Sequence, residues 1–270
     1  MKKCIKALAV AVLTLVAAVV VVSCVKEYYV TVSNQDLLFS VNESTLKIDV
    51  TANCKWTVAL RDTATWYTVT PLSGKNDGTI TVSVKPMTDT DFRGTTIVVE
   101  SPGAHIRRTI FISQSKLNFS GLMNKVFGVM STERWNTDFQ NQIIEDTYKK
   151  KEFNPYDSMT GYWMYFFEDG IGVQRDHHTD TVAFWLFNYE YEPGDRTMNF
   201  EFEHVTGAPL DYTVDVLAAS DSLFRFMHEF DTTWWERADM RKIGTIHPGE
   251  LQAIRRSLSR RNGRGPIFLE

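Results

Sequence analysis

An all-β chain in two parts is expected. A seven-strand sandwich comes first, followed by an antiparallel up-and-down barrel and a short C-terminal helix. Three observations carry this expectation. Apolar residues alternate with period two in short runs, as in Leu46-Ile48-Val50, Trp56-Val58-Leu60 and Ile80-Val82-Val84. Turn chemistry separates the runs: "SGKNDG", "SPGA", Asp169-Gly170 and Pro193-Gly194 supply positive φ or preset a bend. Beyond the N-terminal leader, a helical apolar stripe appears at the C-terminal end, on Leu251, Ile254 and Leu258, with Pro248 suited to a first helical position and Asn262-Gly263 to a stop.

The leader spans residues 1–23. Lys2, Lys3 and Lys6 precede an apolar run from Ala7 to Val22, broken only by Thr14. That run is 16 residues long, short of the ~20 that a membrane-spanning helix needs. A basic start, a short apolar stretch and small residues near a cut site describe a secretory signal. Val21-Val22-Ser23-Cys24 resembles the lipobox of bacterial lipoproteins. The resemblance implies cleavage before Cys24, acylation of its thiol and usually of the new amine, and residence as an outer-membrane lipoprotein of a Gram-negative envelope. Several acyl chains on one cysteine would hold durably where one holds marginally. An ordinary signal peptide or an uncleaved anchor with an incidental cysteine are the alternatives. Residues 24–35 then form the acylated N-terminus and a tether. Lys26-Glu27 faintly resembles charged surface-export signals, so both periplasmic and surface display stay open.

Composition suits this setting. About 247 residues remain after cleavage, enough for two domains, and aromatics make up 13% of the chain. Removing the three leader lysines from 29 basic residues leaves 26 against 33 acidic ones, a net charge of −7. Such a balance argues against a nucleic-acid partner. With Cys4 removed and Cys24 acylated, Cys54 stands alone, so neither an intrachain disulfide nor a cysteine metal site can form. Its register with Trp56 and Val58 favours a small buried hydrophobe over a reactive thiol.

Residues 36–114 hold the sandwich runs: "LLFSV", "LKIDVTA", "KWTVAL", "WYTVTP", "TITVSVKP", "TTIVVES" and "RRTIFISQ". Their spacing suggests an immunoglobulin-like arrangement. Trp56, Trp66, Pro71, Ser73, Gly74, Arg93 and Gln114 stand in the order and spacing of the BACON domain, which this segment closely resembles. The resemblance implies a module of envelope and surface proteins, named for presumed carbohydrate or mucin binding, which can equally act as a spacer. Trp56 shares a strand face with Val58 and Leu60, which marks it as core. Tyr67, beside Trp66, is the expected exposed ring on which a sugar would stack.

Residues 115–122 read as a linker, and 123–246 as the barrel. Its runs are "KVFGVMSTERW", "GYWMYFFED", "GIGVQRDHH", "TVAFWLFNYEYE", "TMNFEFEHV", "DYTVDVLAA", "LFRFMHEF" and "WWERADMRKIG". Eight such runs suggest a meander that closes and leaves no exposed edge. The polar stretch "TDFQNQIIEDTYKKKEFNPYDS" interrupts them and reads as a short helix and a loop. The pattern resembles the lipocalin-like barrels of bacterial lipoproteins, although Gly128 and Trp135 are too far apart for the Gly-x-Trp signature of a true lipocalin. Two aromatic stripes are its main chemical feature: Trp163, Tyr165 and Phe167, then Trp185, Phe187, Tyr189 and Tyr191. They either fill the barrel or line a pocket for an apolar or amphiphilic ligand. Trp163, Tyr165, Trp185 and Tyr189 join Tyr67 as candidate ligand contacts.

Catalytic constellations are weak. Asp176, His178 and Asp180 would share one face for a divalent metal but sit at a hairpin between two strands, where polar residues are expected and a solvated turn suffices. His204 and His228 lie on later strands. Glu201 with Glu203, and Asp211 with Asp215, are paired carboxylates suited to glycosidic acid–base work only if they converge. No phosphate-binding glycine loop, nucleophile elbow or His-Glu-x-x-His occurs in the sequence. The expectation is a non-enzymatic protein with no cofactor and no metal, whose partners are a membrane through Cys24, a glycan or mucin, and neighbouring envelope proteins. The tail, 247–270, carries Arg255, Arg256, Arg260, Arg261 and Arg264, a basic face that either meets anionic groups or is simply solvated.

Overall fold

The computed structural model describes residues 27–260, apart from 43, 89, 158–160, 179–180, 193, 204–209 and 231–232. The leader with Cys24, and Arg261 and Arg264 of the tail, lie outside the described residues. Among the described residues no helix is long and apolar enough to cross a membrane.

The N-terminal part is a two-sheet sandwich. One sheet has the order β1 (Val30–Val32), β3 (Ser44–Ala52), β7 (Gly78–Val84), β5 (Tyr67–Thr70). The other has the order β2 (Asp36–Phe39), β9 (Ile106–Ser115), β8 (Phe92–Ser101), β4 (Lys55–Leu60), β6 (Ser73–Lys75). The seven expected runs are all strands. The two further strands, β1 and β6, have three residues each, too few to show alternation. β1 lies within the stretch expected to be tether, where pairing with β3 makes it part of the sheet. Ile48, Val50, Ile80 and Val82 from one sheet meet Trp56, Ile97, Val99 and Ile110 from the other, all nearly free of solvent. Alternation also marks where the core ends: Trp56 is 2% exposed, whereas Leu60 on the same strand is 45% exposed.

The C-terminal part is a closed eight-strand antiparallel barrel. Its strands are β10 (Lys125–Thr137), β12 (Trp163–Phe166), β13 (Ile171–His178), β14 (Thr181–Glu192), β15 (Thr197–Phe202), β16 (Leu210–Ala219), β17 (Leu223–Phe230) and β18 (Trp234–Thr245). Pairing of β10 with β18 closes it. The interrupting polar stretch is not a helix, which corrects the sequence expectation. It forms β11 (Ile143–Glu152), a strand laid along the far half of β10. Only one edge of β11 is paired and most of it is exposed, so its sequence carries no apolar alternation. A tight turn aims it: Asp138 Oδ1 accepts from the N–H groups of Gln140 and Gln142 at 2.9 and 3.0 Å, and Asn141 takes a positive φ of 58°.

The two parts are packed together. β9 is buried along nearly its whole length, one face in the sandwich core and the other against the barrel, where Phe111 meets Trp135, Ile143, Leu217 and Met227. Polar contacts fix the register. Gln142 Oε1 accepts from the Val32 N–H at 3.0 Å, and Gln35 Oε1 from the Ile143 N–H at 2.9 Å. Arg108 donates to the Val30 carbonyl at 2.6 Å and pairs with Asp138 at 2.7 Å. The expected linker is built in as well: Leu117 bridges Ala219, and Leu122 is buried beneath the barrel.

The C-terminal helix, α1 (Pro248–Arg260), lies on the outer barrel wall. Ile254 packs there with Tyr165, Phe167, Val173 and Phe184. The side chains of Leu251 and Leu258 are outside the described set. Arg255 and Arg256 are exposed, and Arg255 approaches Asp169 at 3.6 Å.

Candidate ligand site

Strand parity builds the barrel interior. Along β12 and the residue before it, Tyr162, Met164 and Phe166 point inward, and Trp163, Tyr165 and Phe167 point outward. On β14, Trp185, Phe187, Tyr189 and Tyr191 all face the interior cluster.

One end of the barrel is filled. Phe166 makes edge-to-face contacts with Phe127, Phe187 and Phe224 at 6.1, 5.8 and 5.4 Å between centroids. Gly172 sits opposite Phe187, whose ring occupies the space a side chain there would need. Tyr189 closes this end: its hydroxyl donates to the Phe167 carbonyl, and burial with nearby Asp169 and Glu168 pushes its pKa up to about 12.

The other end is open. A cavity of about 800 Å³ has apolar walls that include Val129, Phe153, Met164, Phe202, Phe226 and Met240. Tyr162, Gln174, Tyr212, His228 and Glu236 bring polar atoms to it. Gln174 donates to the Tyr162 hydroxyl. His228 Nδ1 lies 2.7 Å from the Thr213 carbonyl, so this nitrogen carries the proton. The His228 ring stands 5.0 Å from that of Tyr212. Burial raises the Glu236 carboxyl above the usual range, while Arg134 and Lys151 pull it back. Burial likewise raises the Tyr212 phenol, with Tyr162 and Glu236 adding to the effect.

The placement of the sequence-derived candidates differs in part from expectation. Trp185 faces the interior directly across from Gln174, and Tyr189 also faces inward but at the filled end. Trp163 and Tyr165 do not reach the interior, which corrects their assignment as pocket contacts. They lie on the outer wall, Tyr165 under α1 and Trp163 beneath the Arg175 guanidinium at 3.8 Å. Alternation identified the stripe but not which side of the wall it faced. Tyr67 is corrected too: it is 5% exposed, packs in the sandwich core and donates its hydroxyl to Asp62 at 3.0 Å. Replacing Tyr67 by Phe should cost about 1 kcal/mol in chemical denaturation, the net worth of one hydrogen bond, and leave surface binding unchanged. The interior residues Tyr162, Tyr212 and Glu236 were missed by the sequence reading, although the alternation of their strands carried the signal.

Asp180 and His204 lie outside the described residues, as do the side chains of Asp176 and His178. Glu201 and Asp211 stand opposite each other on β15 and β16, both exposed. Among the described residues no group of three or more His, Cys, Asp or Glu could hold a metal ion.

The motif residues of the sandwich form a framework. The Trp56 indole donates to the Asn76 carbonyl at 2.9 Å, and its ring fills the space over Gly74 and Gly78. Arg93 donates from Nε to Gln114 at 2.7 Å and lies over the Trp66 ring at 4.8 Å. Gln114 in turn donates to the Ser40 and Lys85 carbonyls at 2.8 and 3.1 Å. These contacts stitch the strand connections together: the Trp56 ring is buried, and the half-buried Trp66 ring carries the Arg93 guanidinium over one face.

A search among curated proteins finds no match. Among solved structures, a Bacteroides ovatus GH5 xyloglucanase, solved with a XXXG heptasaccharide, is similar over 34% of this chain at 18% identity and a TM-score of 0.30, and the match spans 20% of its own length. The CupB2 chaperone of Pseudomonas aeruginosa is similar over 70% of this chain and 100% of its own, at 10% identity and a TM-score of 0.29. A Bacteroides ovatus protein of unknown function is similar over 90% of this chain and 98% of its own, at 10% identity and a TM-score of 0.23. Scores this low carry no argument about function. The family model described as a viral BACON domain matches residues 30–115, from the first residue of β1 to the last of β9, and so the sandwich is a BACON-type domain.

Proposed function

We propose that this is a non-catalytic binding protein of the bacterial cell envelope, held at the membrane through lipid on Cys24, whose barrel accepts a small amphiphilic ligand. The observation that supports this reading is the open cavity of about 800 Å³, with apolar walls and a few convergent polar groups. That combination is the usual form of a small-molecule site. The sandwich then serves as a docked platform for the barrel. Binding should be detectable with N-phenyl-1-naphthylamine, a neutral probe that fluoresces in apolar surroundings. Ala238 is buried and lines the cavity, and Ala238→Trp would fill it. The variant should fold with an unchanged circular dichroism spectrum and bind the probe at least about ten-fold more weakly. Equal binding would mean that the probe sits elsewhere.

Anchoring has its own test. Cys24→Ala should move the protein from the detergent phase to the aqueous phase and abolish the lipid mass increment. Unchanged partitioning with the same mass would remove the anchor from this reading.

A second reading, association with glycans, is supported by the BACON match over residues 30–115. Its expected stacking ring, Tyr67, lies in the core, so a glycan contact would have to use other surface residues. An array including mucin O-glycans tests it, and the absence of any bound glycan would sink it.

A further inference from the structure

The cavity is layered, and its layers differ in charge. β17 and β18 face each other in register: Phe224 opposite Met240, Phe226 opposite Ala238, and His228 opposite Glu236. Phe224 belongs to the filled end, so Glu236 stands at the outer layer. From Met240 to Glu236 the strand rises about 13 Å, and the wall changes over that distance from purely apolar to acidic. Glu236 faces the cavity, Asp211 and Glu229 stand at its rim on the outer faces of their strands, and no lysine or arginine lines it. The two cations nearest Glu236 are engaged on aromatic rings: the Arg134 guanidinium lies 3.5 Å from the centre of the Trp234 ring, and the Lys151 ammonium 4.7 Å from that of Phe153, a ring of the cavity wall. Rings of Tyr162, Tyr212 and Phe226 border the same outer layer. Aromatic faces and a carboxylate together attract a cation and repel an anion.

We propose that the barrel selects an amphiphilic cation: an apolar tail that runs down toward Met164 and Met240, and an amine or quaternary ammonium head held at Glu236 among the rings of Tyr162 and Tyr212. This rests on the reading of the cavity as a ligand site and adds the charge of the ligand. A fatty acid would bring its carboxylate against Glu236 and is disfavoured. A neutral alcohol would gain the tail contacts alone.

Three probes with one tail separate these cases. Decylamine, decanol and decanoate compete against N-phenyl-1-naphthylamine on the purified protein at pH 7. Decylamine should compete about ten-fold better than decanol, and decanoate worse than both. Glu236→Gln should bring decylamine down to the level of decanol and leave decanol within about two-fold of its original value, which also reports that the cavity is intact. Equal competition by amine and alcohol, stronger competition by decanoate, or an amine preference that survives Glu236→Gln would each overturn the charge selection and leave the cavity as a site. Failure of all three to compete while the neutral probe binds would overturn the selection and the long-tailed ligand together. Failure of the neutral probe as well would remove the cavity as a ligand site.

Discussion

Asp36→Asn is expected to stabilise the folded protein strongly at pH 7 and hardly at all at pH 4. Asp36 is 7% exposed and sits on β2 where the sandwich meets the barrel. Neither carboxylate oxygen has a hydrogen-bond partner. Burial first, and then the nearby Asp215, raise its pKa from 3.8 to about 8, against the opposing pull of Arg237 and Arg196. The folded protein therefore keeps a proton that the unfolded chain releases. The linkage runs in one direction: stability is greatest below the unfolded pKa and falls as the pH rises from about 4 to about 8. At pH 7 the loss is on the order of 4 kcal/mol. An asparagine has the shape of the protonated side chain and no charge to release, so it should recover most of that loss. Urea titrations at pH 4 and pH 7 check this. A change in unfolding free energy that is the same at both pH values would show that Asp36 keeps an ordinary pKa.

Trp56→Ala should lower stability by about 3 to 5 kcal/mol, the usual cost of emptying a large aromatic site. The indole is 2% exposed, spans the region between the sheets and donates to Asn76. Gly74 and Gly78 leave no wall that could collapse into the space, since the ring lies directly against both. Differential scanning calorimetry should show an early transition. β9 is shared between the sandwich core and the barrel contact, so loss of the sandwich should destabilise the barrel as well. Any fall in glycan binding by this variant would then reflect unfolding, and glycan stacking by Trp56 would require the opposite outcome, lost binding at unchanged stability.

The strands were legible wherever one face is wet. Lys55–Leu60 and Gly78–Val84 alternate because their neighbours differ across the sheet. The reading broke down where both faces are covered or neither is. β12 buries Met164 and Phe166 on one side and Tyr165 on the other, because α1 covers the outer wall. Period two then shows two apolar stripes and cannot say which one is the interior. β11 fails in the opposite way: only Ile143 is fully buried, and its long polar run reads as loop or helix. In the sequence Asp36 is a single polar residue ahead of the apolar run Leu37-Leu38-Phe39. Its burial arises from the docking of the barrel 100 residues and more along the chain, as the Gln35 contact with Ile143 shows, and no local pattern encodes that.

The Arg108 bridge between Val30 and Asp138 also fixes where the barrel opens. The turn carrying Asp138 lies just past the Glu236 layer, because Arg134 pairs in register with Glu236 and β10 ends at Thr137. The chain thus enters the fold beside the cavity mouth. Glu27 and Tyr29 are bound to Asn53, whose side chain donates to the Glu27 carbonyl at 2.8 Å and accepts from the Tyr29 N–H at 3.0 Å, so under the proposed anchoring the span from Cys24 to Glu27 is at most about 11 Å. So short a span would keep the edge of the sandwich that carries Asn53, and the Val30 junction with the barrel beside it, close to the bilayer surface.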